Sequence, residues 1–194
     1  NNTQRHTFRA GTTATNNLIF TPNSTFDGAI DSVSIKEITD YTSPAFALLT
    51  EAGNSSFQVR SSSNNGYGNI FIGQSSGRQN TNGGYNTAVG HQALSSDTEG
   101  SYNTALGYNS LFFNASGATN TAVGYRTLYS NTIGGNNAAL GNSPLYANTT
   151  GDYNTALGYR TLYANTTGDD NTALGYMTLY SNTTGNDNIA LGQQ

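Results

Sequence analysis

The string Asn-Thr-Ala-Leu/Val-Gly recurs with its Asn at 86, 103, 120, 154 and 171, and degenerate copies begin at Asn69, Asn137 and Asn188. Each copy starts 17 residues after the one before it. A fixed period of this length marks a stacked repeat, in which one unit cannot bury its apolar face alone and must lean on its neighbours. With that Asn as position 1, position 4 reads Ile72, Val89, Leu106, Val123, Leu140, Leu157, Leu174 and Leu191. Position 5 is Gly throughout. Position 9 is Leu94, Leu111, Leu128, Leu145, Leu162 and Leu179, with Gly77 in the first copy, and position 15 is Gly from 83 to 185.

The glycines cut each unit into two short segments, around positions 1 to 4 and 7 to 10. A few residues between glycines cannot nucleate a helix, whereas alternation over that length suits a strand. In such a strand positions 2 and 4 share one face and position 3 takes the other. The constant aliphatic at position 4 predicts that this face points inward, so Ile72, Val89, Leu106, Val123, Leu140, Leu157, Leu174 and Leu191 join the position 9 leucines as the expected core. About three inward apolar residues per unit, stacked, make an all-β solenoid, or β-roll. Eight coils at about 4.8 Å each give a rod of roughly 40 Å.

Composition agrees with a thin rod. Leu, Ile, Val and Phe together number 34 of 194 residues, too few for one deep globular core. The net charge of −4 is too small for plain disorder. Seven basic against eleven acidic residues leave no footprint for neutralising phosphates, which argues against nucleic-acid binding. No apolar run reaches the roughly 20 residues of a membrane helix, so no membrane insertion is expected. There is no Cys for disulfides or thiolate metal sites.

Aromatic residues recur in register as well. Position 6 carries Tyr108, Tyr125, Tyr159 and Tyr176, and position 10 carries Phe112, Tyr129, Tyr146, Tyr163 and Tyr180. Two such columns beside so small a core suggest an interface between parallel rods, since contiguous exposed apolar patches are rare on monomers. A homotrimer around a three-fold axis is the expected assembly. The alternatives are rings packed inside a wider coil, or rings stacked on one another at the surface. Asn at positions 1 and 12 suits turns and side-chain ladders between coils.

The residues before the repeat differ in kind. Alternation in Asn16-Asn-Leu-Ile-Phe-Thr21 and in Ala29-Ile-Asp-Ser-Val-Ser-Ile-Lys-Glu-Ile38 predicts two strands, with turns at Pro22-Asn-Ser-Thr and Phe26-Asp-Gly. Residues 41–68 read as a β-hairpin adaptor, with Ala45-Phe-Ala-Leu-Leu and Ser56-Phe-Gln-Val-Arg60 as its arms. The coils then run over 69–194.

The stretch Phe8-x-Ala-Gly-Thr-Thr-Ala-Thr, then Phe20-Thr-Pro and Phe26-Asp-Gly-Ala-Ile-Asp-Ser-Val-Ser-Ile, resembles the last strands of carbohydrate-binding jelly-roll modules found in phage fibres and bacterial surface proteins. Residues 1–40 are too few for the whole module, which implies a partial β-sandwich or a fragment. The resemblance implies a structural calcium at Asp31; the other reading of that residue is a turn or edge carboxylate. The repeat resembles the Asn-Thr-Ala-Leu-Gly-Tyr-x-Ala-Leu-x-x-Asn-Thr-Thr-Gly arrays of phage tail-fibre-like proteins and, more distantly, the head β-roll of trimeric autotransporter adhesins. That implies an elongated, trimeric segment of a phage or viral fibre, extracellular or on the virion surface, serving host attachment or display of a receptor-binding domain. The alternatives are the stalk or head of a bacterial trimeric adhesin and a direct binder of host-surface glycans.

Catalysis is not expected. Gly73-Gln-Ser-Ser-Gly77 matches a G-x-S-x-G nucleophile pattern, but Gly73 already belongs to the repeat and the strand-turn-helix context is missing. His91 stands where other coils carry Tyr. Asp152, Asp169, Asp170 and Asp187 could recruit calcium, but they vary between copies, so solvated turn charges are the simpler reading and no cofactor is expected. The N-x-S/T matches at Asn114, Asn148, Asn165 and Asn182 arise from the repeat itself.

Overall fold

The computed structural model describes residues 68–193 and the backbone of two earlier strands, 46–49 and 55–60. The strands expected in residues 1–40, with Asp31, lie outside the described residues. Ten strands follow in chain order: β1 (Phe46–Leu49), β2 (Ser55–Arg60), β3 (Ile70–Ile72), β4 (Thr87–Val89), β5 (Thr104–Leu106), β6 (Thr121–Val123), β7 (Ala138–Leu140), β8 (Thr155–Tyr159), β9 (Thr172–Tyr176) and β10 (Ile189–Gln193). They form one sheet in sequence order. From β3 to β10 all pairings are parallel, and each residue faces the one 17 positions later, as in Ala88↔Ala105 and Val89↔Leu106. The chain is therefore a β-solenoid of about seven 17-residue turns. At the other edge β2 pairs antiparallel with β3, and β1 with β2. Among the described residues there is no helix, and none long and apolar enough to cross a membrane.

Coil stacks on coil outside the strands too. Leu94 N–H donates to the Ser110 carbonyl at 2.9 Å, Thr98 N–H to Ala115 at 2.9 Å, and Asn109 N–H back to His91 at 3.1 Å. Keeping peptide groups aligned with the rod axis around such tight corners requires left-handed backbone. Positions 7, 9 and 17 adopt it in every coil, for example Arg126 (φ 49), Leu128 (φ 51) and Thr119 (φ 61). Each such L-residue costs about 1–2 kcal/mol, so the register is held against a local penalty. Position 5 goes further: Gly107 lies at φ 129, and a Cβ there would overlap the carbonyl oxygen of Gly124 in the next coil. Only glycine fits so close an approach of two backbones.

The core corrects the face expected from sequence. Position 3 is the inward one: Ala88, Ala105, Ala122, Ala139, Ala156 and Ala173 are buried, opposite the buried position 9 residues Leu94, Leu111, Leu128, Leu145 and Leu162, with Leu179 partly buried. Position 4 points outward. Ile72, Val89, Leu106, Val123, Leu157 and Leu174 are half-buried, and Leu140 and Leu191 are exposed by 49% and 73%. The reason is width. The interior has room for one Leu per coil, and the strand opposite it can offer only a methyl. The first coil confirms the pairing by exchange. Phe71 occupies position 3, and Gly77 occupies position 9, where a Cβ would lie 2.5 Å from the Phe71 ring.

Candidate functional site

Two asparagine columns line the interior beside the narrow apolar core. At position 1 the side-chain oxygen of each Asn accepts the backbone N–H of the next, as from Asn103 to Asn86 at 2.8 Å. The amide nitrogen of the same column spans its own coil to the position 15 carbonyl, Asn103 Nδ2 to Gly117 at 2.8 Å. At position 12 the amides run head to tail: Asn131 Nδ2 donates to Asn114 Oδ1, Asn148 to Asn131 and Asn165 to Asn148, at 2.8, 2.8 and 2.9 Å. Each also donates to its own position 15 carbonyl. Buried amides are tolerable because they are paired so fully. It also encloses the side chains of Asn114, Asn148 and Asn165 within the coil.

The position 12 column has one interruption that the repeat pattern alone left unremarked. Asp97 replaces Asn and is fully buried. Asn80 Nδ2 and Asn114 Nδ2 donate to its two oxygens at 2.7 and 2.8 Å, and Gly100 N–H adds a third bond at 3.1 Å. Burial nevertheless outweighs these donors and pushes its carboxyl up to about 7. Asp97 brings no amide N–H to continue the column, and Asn80 Oδ1 is left buried without a partner.

A third column runs along position 16. Gly135 N–H donates to Asp152 Oδ1, Asp152 N–H to Asp169 Oδ1 and Asp169 N–H to Asn186 Oδ1, at 2.6, 2.8 and 2.8 Å. These carboxylates thus serve as acceptors for backbone amides. Among the described residues no group of three His, Asp or Glu side chains converges to hold a metal.

The aromatic residues stack on one another along the chain. The position 10 column is continuous, Phe112–Tyr129–Tyr146–Tyr163–Tyr180, with centroids 5.0–5.4 Å apart and planes within 11°. The position 6 column is broken. His91–Tyr108–Tyr125 stack at 5.4 and 5.5 Å, and Tyr159–Tyr176 at 5.1 Å, but Asn142 stands between the two groups. Two arginines at position 7 lie between the columns. The Arg126 guanidinium is 5.3 and 5.6 Å from the Tyr125 and Tyr129 centroids, and that of Arg160 is 5.2 and 5.3 Å from Tyr159 and Tyr163. In both, Nε is buried with no hydrogen-bond partner.

The aromatic residues singled out from sequence therefore fall into two ordered columns, and the aliphatics of position 4 form a separate outward stripe. Ser75 of the G-x-S-x-G match is one of the left-handed corner residues, and His91 is spent in ring stacking. Sequence reading passed over Asp97, Asn142 and the position 7 arginines, although each is a departure from the repeat. No protein family matches the chain, and neither a curated protein nor a solved structure does.

Proposed function

We propose that the chain is a structural, elongated segment of a phage or viral fibre, outside the cell or on the virion surface, which holds a receptor-binding domain at a distance or aids host attachment. Its work is done by shape. The observation that carries this reading is the unbroken 17-residue register of β3–β10, with glycine and asparagine at fixed positions: stacked backbones give stiffness and length while spending few apolar residues. The likeness of the repeat to phage fibre arrays agrees with it.

A fibre segment of this kind assembles as a homotrimer. Because the rings already stack within one chain, the surface that gains most from a partner is the outward aliphatic stripe of position 4, from Ile72 to Leu191. Large contiguous apolar stripes are rare on monomers. Sedimentation equilibrium should give about three times the 20.4 kDa chain mass. Leu140→Asp, a charge on that stripe, should yield a monomer with unchanged β circular dichroism. A wild-type chain that stays monomeric at micromolar concentration overturns the trimer, and a particle without a rod-like axial ratio overturns the fibre reading.

A further inference from the structure

We propose that the missing rung at Asn142 is a binding site for an acidic sugar unit, a pyranose ring carrying a carboxylate. Tyr125 is stacked on one face by Tyr108, and Tyr159 on one face by Tyr176. Their other faces look toward each other across the coil that carries Asn142. Two strand spacings separate them, about 10 Å, which is the room of one absent ring. Nothing long fills it from below. Ser143 stands where the flanking coils have arginine, and its hydroxyl donates to Asn142 Oδ1 at 2.9 Å.

The charge around this gap is one-sided. Residues 68–193 contain three basic side chains, Arg78, Arg126 and Arg160, and two of them flank the missing rung. The acidic residues of the coils occupy positions 12, 14, 16 and 17, and none falls in the segment of positions 6 to 10. Arg126 and Arg160 hold buried Nε donors for which the chain supplies no acceptor, and a buried donor left unpaired is unfavourable. A carboxylate held in the gap would lie beside guanidinium groups already fixed against tyrosine rings, 5.3 Å from Tyr125 and 5.2 Å from Tyr159.

The shape selects the ring. The rungs follow the strand spacing and are wider than the closest contact of flat aromatic rings. A pyranose chair is thicker, since axial hydrogens project from both faces, so its C–H faces can meet both tyrosines at once. A carboxylate on its rim reaches a planar guanidinium, which binds such groups in a fork. A neutral sugar would keep the stacking and lose the ion pair; a bare anion would do the reverse. The site does not depend on the fibre reading, because its residues lie off the position 4 stripe.

The test is a titration of the full chain, followed by the backbone NMR signals of residues 125, 142, 143 and 159, with D-glucuronate, D-glucose and acetate as separate probes. Glucuronate should bind saturably, about tenfold or more tighter than either control. Asn142→Tyr, which fills the rung, should abolish binding while the melting temperature is held or raised. Arg126→Gln with Arg160→Gln should bring glucuronate down to the affinity of glucose. The proposal is overturned if glucuronate shifts nothing, if acetate shifts the same signals as strongly, if glucose binds as tightly as glucuronate, or if Asn142→Tyr binds like wild type. Sedimentation of the same samples separates this result from the trimer, since neither outcome alters the position 4 stripe.

Discussion

If positions 3 and 9 face each other across a space that holds one large side chain, their contents should be exchangeable between strands. Nature has made that exchange in the first coil, with Phe71 opposite Gly77, and the coil starting at Asn154 allows it to be repeated with Ala156 and Leu162, both fully buried. Leu162→Gly removes a core leucine, a loss of about 4 kcal/mol by comparison with other buried leucines. Glycine relieves about 1 kcal/mol of left-handed backbone cost at φ 50, so the single change should cost about 3 kcal/mol. Ala156→Phe forces a ring against Leu162 with nowhere to move and should cost at least about 3 kcal/mol, the upper end for overpacking. The double variant should regain most of both, since the ring occupies the space the leucine left. It should lie within about 2 kcal/mol of wild type, a coupling of about 4 kcal/mol between residues in contact. Urea unfolding of the four proteins, with a check that the denaturant slope is unchanged, measures the cycle. Additive losses, with coupling under about 0.5 kcal/mol, would refute the opposition of positions 3 and 9.

Three other perturbations test the ladders and corners. Asp97 carries a carboxyl raised from 3.8 to about 7 by burial, so between those values the folded chain holds a proton that the unfolded chain has lost. Stability is then fully present below about pH 4 and falls as pH rises through about 7. Asp97→Asn, which gives Asn80 Oδ1 its missing donor, should remove that slope and raise the melting temperature most at pH 8. Gly124→Ala places a Cβ onto the carbonyl oxygen of Gly141 at φ 132, a clash with backbone that no rotamer relieves. It should cost more than about 2 kcal/mol in urea unfolding. Thr119, β-branched, exposed and at φ 61, should be replaceable by glycine with a gain of about 1 kcal/mol, seen as a higher melting temperature.

The repeat made the solenoid, its 17-residue register and the position 9 leucines legible, because spacing alone fixes which residues stack. It did not fix which face of a three-residue strand turns inward. Hydrophobicity favours Leu at position 4 over Ala at position 3, and that preference misleads when the interior is too narrow for two large side chains. The correcting signal was present in the first copy, where Phe71 and Gly77 depart from the pattern together. Asp97 and Asn142 carried signals of the same kind. A repeat is read first for what recurs, but a single departure from a column shows what that column does: Asp97 interrupts a chain of amide donors, and Asn142 opens a stack of rings. The left-handed corners were only partly legible: Asn109, Asn136, Asp170 and Asp187 suit positive φ, but the same positions carry Leu, Arg, Met and Tyr in other coils, which do not favour it.

Those corners also explain why the repeat tolerates so little change at its polar positions. The coil from Asn154, for example, adopts left-handed backbone at Arg160, Leu162 and Asp170 and buries only Ala156 and Leu162 as apolar core. The offset must come from contacts between coils: backbone bonds along the whole contour, the Asn columns, the Asp and Thr bonds at the exposed corners and the ring stacks. None of these exists in an isolated coil, so stability here belongs to neighbouring pairs. A substitution that breaks one column should therefore loosen the two coils it joins and leave distant ones stacked. A charge introduced at position 157 makes the contrasting case. The Leu157 side chain points outward and half-exposed, so Leu157→Asp should leave the coils of a single chain intact and act only on the proposed trimer, whereas the same charge at Ala156 should separate the coils themselves.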